Sequence, residues 1–331
     1  IDLPLVWGGI IALAVFLYVL LDGFDLGCGI LFPFAPTDNC RNRMMNSIAP
    51  FWDGNETWLV LGGGGLFAAF PLAYAILMPA FYLPIFLMLV GLIFRGVAFE
   101  FRFKAETSRW IWDHAFHFGS LLATFMQGVV LGTYVQGIKV TGRAFGGSVF
   151  DSFTGFSMLT GAALVAGYAL LGATWLIMKT EGETAAWARR TAHYVLLFVG
   201  IFMALVSLCV PFTSPEIARI WFTLPNIFYL SPVPVIAGIT LVVLYRKIHK
   251  DGHVAPYLLT NFLFVLGYIG LAISLWPYVV PRRIDLWQAA AAPQSLSLLL
   301  IGVALFLPVV LGYTAYCYYI FRGKADVESL Y

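Results

Sequence analysis

The stretch IIALAVFLYVLLDGFDLGCGIL, residues 10–31, opens with twelve apolar residues and then carries Asp22 and Asp25, three positions apart. A helix crosses the bilayer core with about 20 mostly apolar residues, so the stretch reads as a membrane span with two acids inside it. Similar apolar stretches recur along all 331 residues, of which 61% are hydrophobic and 11% charged. A soluble domain carries roughly 25% charged residues. The class is therefore a polytopic helical membrane protein. The net charge of +2 comes from residues scattered through short loops, so no nucleic-acid partner is expected. Cys28, Cys40, Cys209 and Cys317 form no C-x-x-C pair; they read as small apolar fillers rather than a disulfide or metal framework. The first apolar run continues without an A-x-A-like site, so no cleaved signal is expected. The missing initiator Met points to a trimmed N-terminus.

The span-length rule predicts nine crossings, over 5–31, 47–70, 73–98, 109–136, 154–178, 187–211, 228–247, 256–280 and 294–321, with PLAY at 71–74 as the tight link between the second and third. The expected fold is all-α, two helix bundles plus an extra helix in a single membrane-embedded subunit. Residues 1–137 make the first bundle and 154–322 a second, more apolar part. Of the 19 Lys and Arg residues, 13 fall in loops on the C-terminal side, 5 on the opposite side, and Arg95 lies inside a span. Basic loops stay in the cytoplasm, which puts the C-terminus inside and the N-terminus outside.

With that orientation the ionisable residues converge. Asp22 and Asp25 fall in the inner half of span one. Asp53, Asn55 and Glu56 begin span two, Arg95 and Glu100 end span three, and Asp113, His114 and His117 open span four. Asp22 with Asp25, and Asp53 with Glu56, are i, i+3 pairs on one helical face. Asp113 and His117, at i, i+4, are spaced for a carboxylate–imidazole contact. Ionisable groups inside a membrane face a bundle interior or a wet cavity, and Arg95 is the natural counter-charge for one carboxylate. Burial and like charge both favour the neutral carboxyl, so a wet carboxyl cluster open to one side suits a proton entry path. The plainer reading is structural: the acids of DGFDLG and WDGNETW would cap glycine-punctuated helix breaks. The histidines form no Glu-x-x-His pattern and no metal site is expected. The glycine run at 62–65 reads as close helix packing, and Trp7, Trp110, Trp221, Tyr229, Trp276, Tyr278, Tyr318 and Tyr319 as interface anchors. Spans five to nine hold little internal charge, with His193 their only histidine toward the membrane. That asymmetry weighs against a proton-coupled secondary transporter, whose halves normally match.

The blocks DGFDLGCGIL, NSIAPFWDGNETWLV, GGGGLFAAFP, FRGVAFEFR and GYTAYCYYIF make the whole chain resemble subunit II of the cytochrome bd-type quinol oxidases; LWQAAAAPQSL leans toward the cyanide-insensitive branch. The resemblance implies a complex in the bacterial cytoplasmic (inner) membrane that oxidises quinol and reduces dioxygen to water. Its partner would be a haem-bearing subunit I holding two haems b, one haem d and the quinol-oxidising loop. The present chain would be haem-free, not catalytic alone, and a route for protons from the cytoplasm. Small single-span accessory subunits and a structural quinone or lipid are also implied. Asp22, Asp25 and Asp53 carry over as proton-path residues, and Trp52 and Arg95 fall at positions the family uses. From position alone, Glu56 joins the path, and Asn55, Glu100, Asp113, His114 and His117 are expected to support it. A purely structural subunit remains the competing role within such a complex.

Overall fold

The computed structural model describes residues 2–250 and 252–326. Helix α1 (Leu3–Leu31) is capped by Asp2, whose carboxylate accepts from Leu5 N at 3.1 Å. It runs into a 3-10 turn at Phe32–Phe34, where Pro33 stops it. The amphipathic α2 (Asp38–Ile48) starts at Thr37, whose hydroxyl accepts from Cys40 N. Then follow α3 (Trp52–Ala69), α4 (Pro71–Ala80), α5 (Tyr82–Arg102) and α6 (Arg109–Gln136), a small hairpin of β1 (Val140–Thr141) and β2 (Ala144–Phe145), α7 (Gly155–Lys179) and α8 (Gly182–Thr213). The chain continues through α9 (Pro215–Phe222), α10 (Asn226–Leu230), α11 (Pro232–His249) and α12 (Ala255–Leu275), a second hairpin of β3 (Tyr278–Val280) and β4 (Ile284–Asp285), the single turn α13 (Leu286–Ala289), and α14 (Pro293–Ile320).

Eight helices among the described residues are long and apolar enough to cross a membrane. The expected crossing left over is the second, α3, which packs along α1. It stays outside that count because Asp53, Asn55 and Glu56 occupy its first turns. Several boundaries differ from the sequence reading: the second crossing starts at Trp52 rather than 47 and the sixth at Gly182 rather than 187. PLAY is not a loop but the start of α4, and the third crossing begins at Tyr82. Pro71 and Pro84 each lack the N–H that would extend a helix back across Phe70 and Phe81, where the backbone leaves α geometry. The eighth crossing ends at Leu275, ahead of Pro277 and strand β3.

The bundle has two unlike ends. The N-terminal end of α1 is capped by α4, both hairpins and α13, around an apolar cluster that includes Phe70, Ile76, Phe81, Val280, Leu286 and Leu296. Hydrogen bonds tie the cap down: Ala291 N to Ala69 O at 2.9 Å, Tyr134 OH to Val279 O at 2.6 Å, and Ser152 Oγ to Ala80 O at 2.8 Å. The other end, where α1 finishes, gathers the acids. The main core runs across both parts of the chain, from Phe24 on α1 to Leu266 on α12. Its centre is aromatic, with Phe24 stacked on Trp175 at 3.9 Å and Phe51 on Tyr318 at 4.4 Å.

Close packing rests on glycines other than the run at 62–65. Gly62 and Gly65 do face α1 side chains, but Gly63 and Gly64 face open space. The tightest approach is Gly27 on α1 against Tyr168 and Gly172 on α7. Several expected interface anchors turn inward. Trp7 is buried and donates from Nε1 to Leu296 O at 3.1 Å; Trp221 donates to Ser274 Oγ at 2.8 Å. Their polar atoms find partners inside the bundle, which a position near a helix end does not reveal.

Candidate functional site

The α1 sequence puts Asp22 and Asp25 on its inward face, both 0% exposed. Burial of a carboxylate costs several kcal/mol unless it is paired, and the partners come from α3 and α5. Arg95, also 0% exposed, donates from Nη1 to Asp22 Oδ1 at 2.5 Å and from Nη2 to Glu56 Oε1. One arginine thus bridges two carboxylates, where the sequence reading assigned it one. Glu56 is 28% exposed at its side chain, so the bridge joins a sealed acid to an accessible one. Trp52 walls this bridge: its ring centroid is 5.7 Å from the guanidinium carbon, and it stacks on Phe99 at 4.8 Å with an interplanar angle of 1°.

Asp25 is held differently. Asn55 Nδ2 donates to Asp25 Oδ2 at 2.7 Å and to Leu21 O at 3.1 Å, while Tyr318 on α14 donates to Asn55 Oδ1 at 3.1 Å. Asn55 therefore spends both ends of its amide orienting one buried carboxylate. Among the described residues, Asp25 Oδ1 and Asp22 Oδ2 have no hydrogen-bond partner. Removing the Tyr318 hydroxyl in Tyr318→Phe is expected to cost about 1 kcal/mol, the usual net worth of one buried hydrogen bond. Denaturant unfolding of the purified protein would measure it; an unchanged midpoint would mean the hydroxyl contributes nothing there.

A second buried arginine lies nearer the end of the bundle. The sequence reading counted Arg102 as a loop residue, but it is sealed in the last turn of α5. It donates to Asp113 and to Asn42 Oδ1, and its guanidinium carbon is 5.0 Å from the Phe32 ring centroid. Asp113 is thereby used, and the Asp113–His117 contact allowed by spacing does not form. His117 turns its Nδ1 to Gly29 O at 3.2 Å, and His114, exposed, turns its Nδ1 to Trp110 O at 2.7 Å.

Two expected members stand apart. Asp53 is exposed on the outer face of α3 and touches neither Asp22 nor Asp25; Glu100 is exposed and faces Lys104 at 3.5 Å. An i, i+3 spacing fixes a shared face only within about 60°, which is enough to send Glu56 to Arg95 and Asp53 to the surface.

The site also extends further than the sequence reading took it. Tyr168 OH on α7 donates to Gln127 Oε1 at 2.9 Å, and Gln127 Nε2 on α6 donates to Tyr18 OH at 2.9 Å. Tyr18 is one helical turn before Asp22. Along α6, His117, Ser120, Thr124 and Gln127 recur at steps of three and four, a helical stripe. The hydroxyls of Ser120 and Thr124 are buried without a partner among the described residues. That periodicity was the available signal for these residues. Among the described residues no group of three or more His, Cys, Asp or Glu is arranged to hold a metal.

The comparisons with known proteins follow this geometry. The sequence model of the family described as cytochrome bd terminal oxidase subunit II matches residues 3–321. Cytochrome bd ubiquinol oxidase subunit 2 of Bacillus subtilis is 32% identical, covering 97% of this chain and 96% of that protein. Cytochrome bd-I ubiquinol oxidase subunit 2 of Escherichia coli K12 is 27% identical, covering 99% of this chain and 96% of that one. Among solved structures, a chain of the bd oxidase from Geobacillus thermodenitrificans superposes with a TM-score of 0.75 at 18% identity, covering 98% of this chain and all of the other.

Proposed function

Because the chain belongs to the cytochrome bd terminal oxidase subunit II family, we propose that it serves as the haem-free subunit of a quinol-oxidising, dioxygen-reducing complex in a bacterial inner membrane. It stabilises a haem-bearing subunit I and supplies a proton-uptake path. The acid end faces the cytoplasm in this reading, on the strength of the basic loops. Small single-span subunits, and a quinone or lipid, complete the assembly.

The observation that carries the path is the bridge Asp22–Arg95–Glu56, which connects a sealed carboxylate to an accessible one through a single guanidinium. Glu56 exchanges protons with water. Asp22 and Asp25 hold them inside, and Asn55 keeps Asp25 oriented. Asp53, on the exposed face of α3, passes protons across to the partner subunit. The supporting bundle, 154–322, backs this arrangement with Tyr168 and Tyr318.

The histidine expected toward the membrane, His193, favours a haem-free role. An axial ligand needs a ring nitrogen free and aimed into a bundle core. His193 spends both nitrogens, on Arg189 O at 2.8 Å and on His249 Nδ1 at 2.5 Å. His114, His249 and His253 are exposed, and His117 is anchored to Gly29.

The test is Asp53→Asn in the intact complex. An exposed isosteric change leaves stability within about 0.5 kcal/mol, so assembly and the haem spectra are expected to stay intact while quinol oxidase turnover falls several-fold. Normal turnover in that variant would remove Asp53 from the path.

A further inference from the structure

At the acid end, α7, the residues before α12 and the segment after α14 enclose a cavity of about 440 Å³. Its lining divides by chemistry. Phe51, Trp175 and Tyr318 contribute an aromatic wall, and Lys179, Arg322 and Lys324 three cations, of which Lys179 lies over the aromatic rings. The sequence reading placed Lys179 in a basic loop, yet it is 5% exposed. Its Nζ donates to Phe321 O and to Gly323 O at 2.8 Å, and lies 5.6 Å and 5.4 Å from the Phe51 and Trp175 ring centroids. Lys324 returns the clasp, donating to Met178 O at 2.9 Å and Thr180 O at 3.2 Å. These carbonyls take two of the three hydrogen bonds of each ammonium and bring no negative charge. Among the described residues, Lys179, Arg322 and Lys324 enter no ion pair. Among the described residues, Glu181 is the single acid in the lining.

We propose that this cavity binds the phosphate of an anionic phospholipid, with the first acyl carbons against the aromatic wall. The shared chemistry is a phosphate anion facing three cations, and basic pockets between spans attract such headgroups. The lipid is favoured over free phosphate because Phe51, Trp175, Met178, Val254 and Tyr318 give the cavity an apolar side, which an inorganic ion leaves uncovered. The inference stands apart from the proton path, although Tyr318 lines the cavity and also holds Asn55.

The experiment uses the complete complex, delipidated in detergent. It is titrated with phosphatidylglycerol or with phosphatidylcholine of the same chains, and bound lipid is counted by native mass spectrometry. Phosphatidylglycerol is expected to bind in preference. In Arg322→Ala with Lys324→Ala, its affinity is expected to fall about thirtyfold, roughly fivefold for each surface cation removed. Arg322→Gln alone, which removes one exposed charge, is expected to show the single fivefold step and guards against a folding defect in the double variant. Millimolar inorganic phosphate is expected to leave the lipid in place. Equal binding of both lipids, or affinity unchanged in both variants, would overturn the proposal. Displacement of the lipid by inorganic phosphate alone would assign the cavity to the free anion and overturn the lipid.

Discussion

Replacing Arg95 by methionine is expected to destabilise the protein by about 3–5 kcal/mol, the penalty for stranding the partner of a buried ion pair. Arg95 meets Asp22 with both side chains fully sealed and reaches Glu56 with its second nitrogen. Methionine fills much of the volume but leaves Asp22 with no cation. The loss should therefore come from charge rather than from packing. The combined variant Arg95→Met with Asp22→Asn separates the two: with the buried charge gone as well, most of the lost stability is expected to return. The yield of assembled complex and its thermal denaturation would measure both. A double variant as damaged as the single one would show that Arg95 acts through its shape and its cation–π contact with Trp52.

The second large effect is expected at Gly27. A Cβ there would lie 1.9 Å from Tyr168 O and 2.8 Å from Gly172 N, and one on Gly172 would lie 2.4 Å from Gly27 C. These are backbone atoms, so no change of rotamer relieves the clash and α1 must move off α7. Overpacking of a core by side chains costs about 1–3 kcal/mol; a backbone clash at the α1–α7 contact is expected to exceed that range in Gly27→Val. Because Asp22, Asp25 and Tyr18 ride on α1, the variant should lose function even where it folds. Gly9→Ala is the control, since a Cβ at Gly9 meets nothing within 4 Å, and it is expected to be neutral or slightly stabilising through helix propensity. Equal behaviour of the two variants in denaturation would rule out the close contact as a determinant of stability.

Apolar length and proline position carried most of the fold. Crossings one, four, five and nine lie within a few residues of their helices, because their apolar runs are long enough to outlast the polar residues and the proline inside them. The third failed at Phe70 and Phe81, where prolines act on residues that look helical by composition. For the site, spacing placed Asp22 and Asp25 correctly, since a helix fixes its own faces. It did not separate Glu56 from Asp53, because the deciding neighbour, Arg95, is 39 residues away in the chain. Arg102 and Lys179 were read as loop cations for a related reason. A long cationic side chain at a helix end looks the same in sequence whether its head meets water or, as here, Asp113 and the backbone of the C-terminal segment. Tyr318 was beyond reach, its partner Asn55 being 263 positions earlier.

The sealing of one end by the apolar cap, with the buried acids Asp22 and Asp25 nearer the other, has an electrical consequence. Asp22 is nine residues from the end of α1, about 13 Å along an axis of about 43 Å at the helical rise of 1.5 Å per residue. A proton that reaches Asp22 from the open end therefore crosses only about a third of the membrane field. A full crossing is worth about 2.3 kcal/mol per 100 mV, so the voltage contributes about 0.8 kcal/mol per 100 mV to occupancy of this site. In the proposed proton path the carboxylates would form a shallow electrical well, responsive to about a third of the membrane voltage.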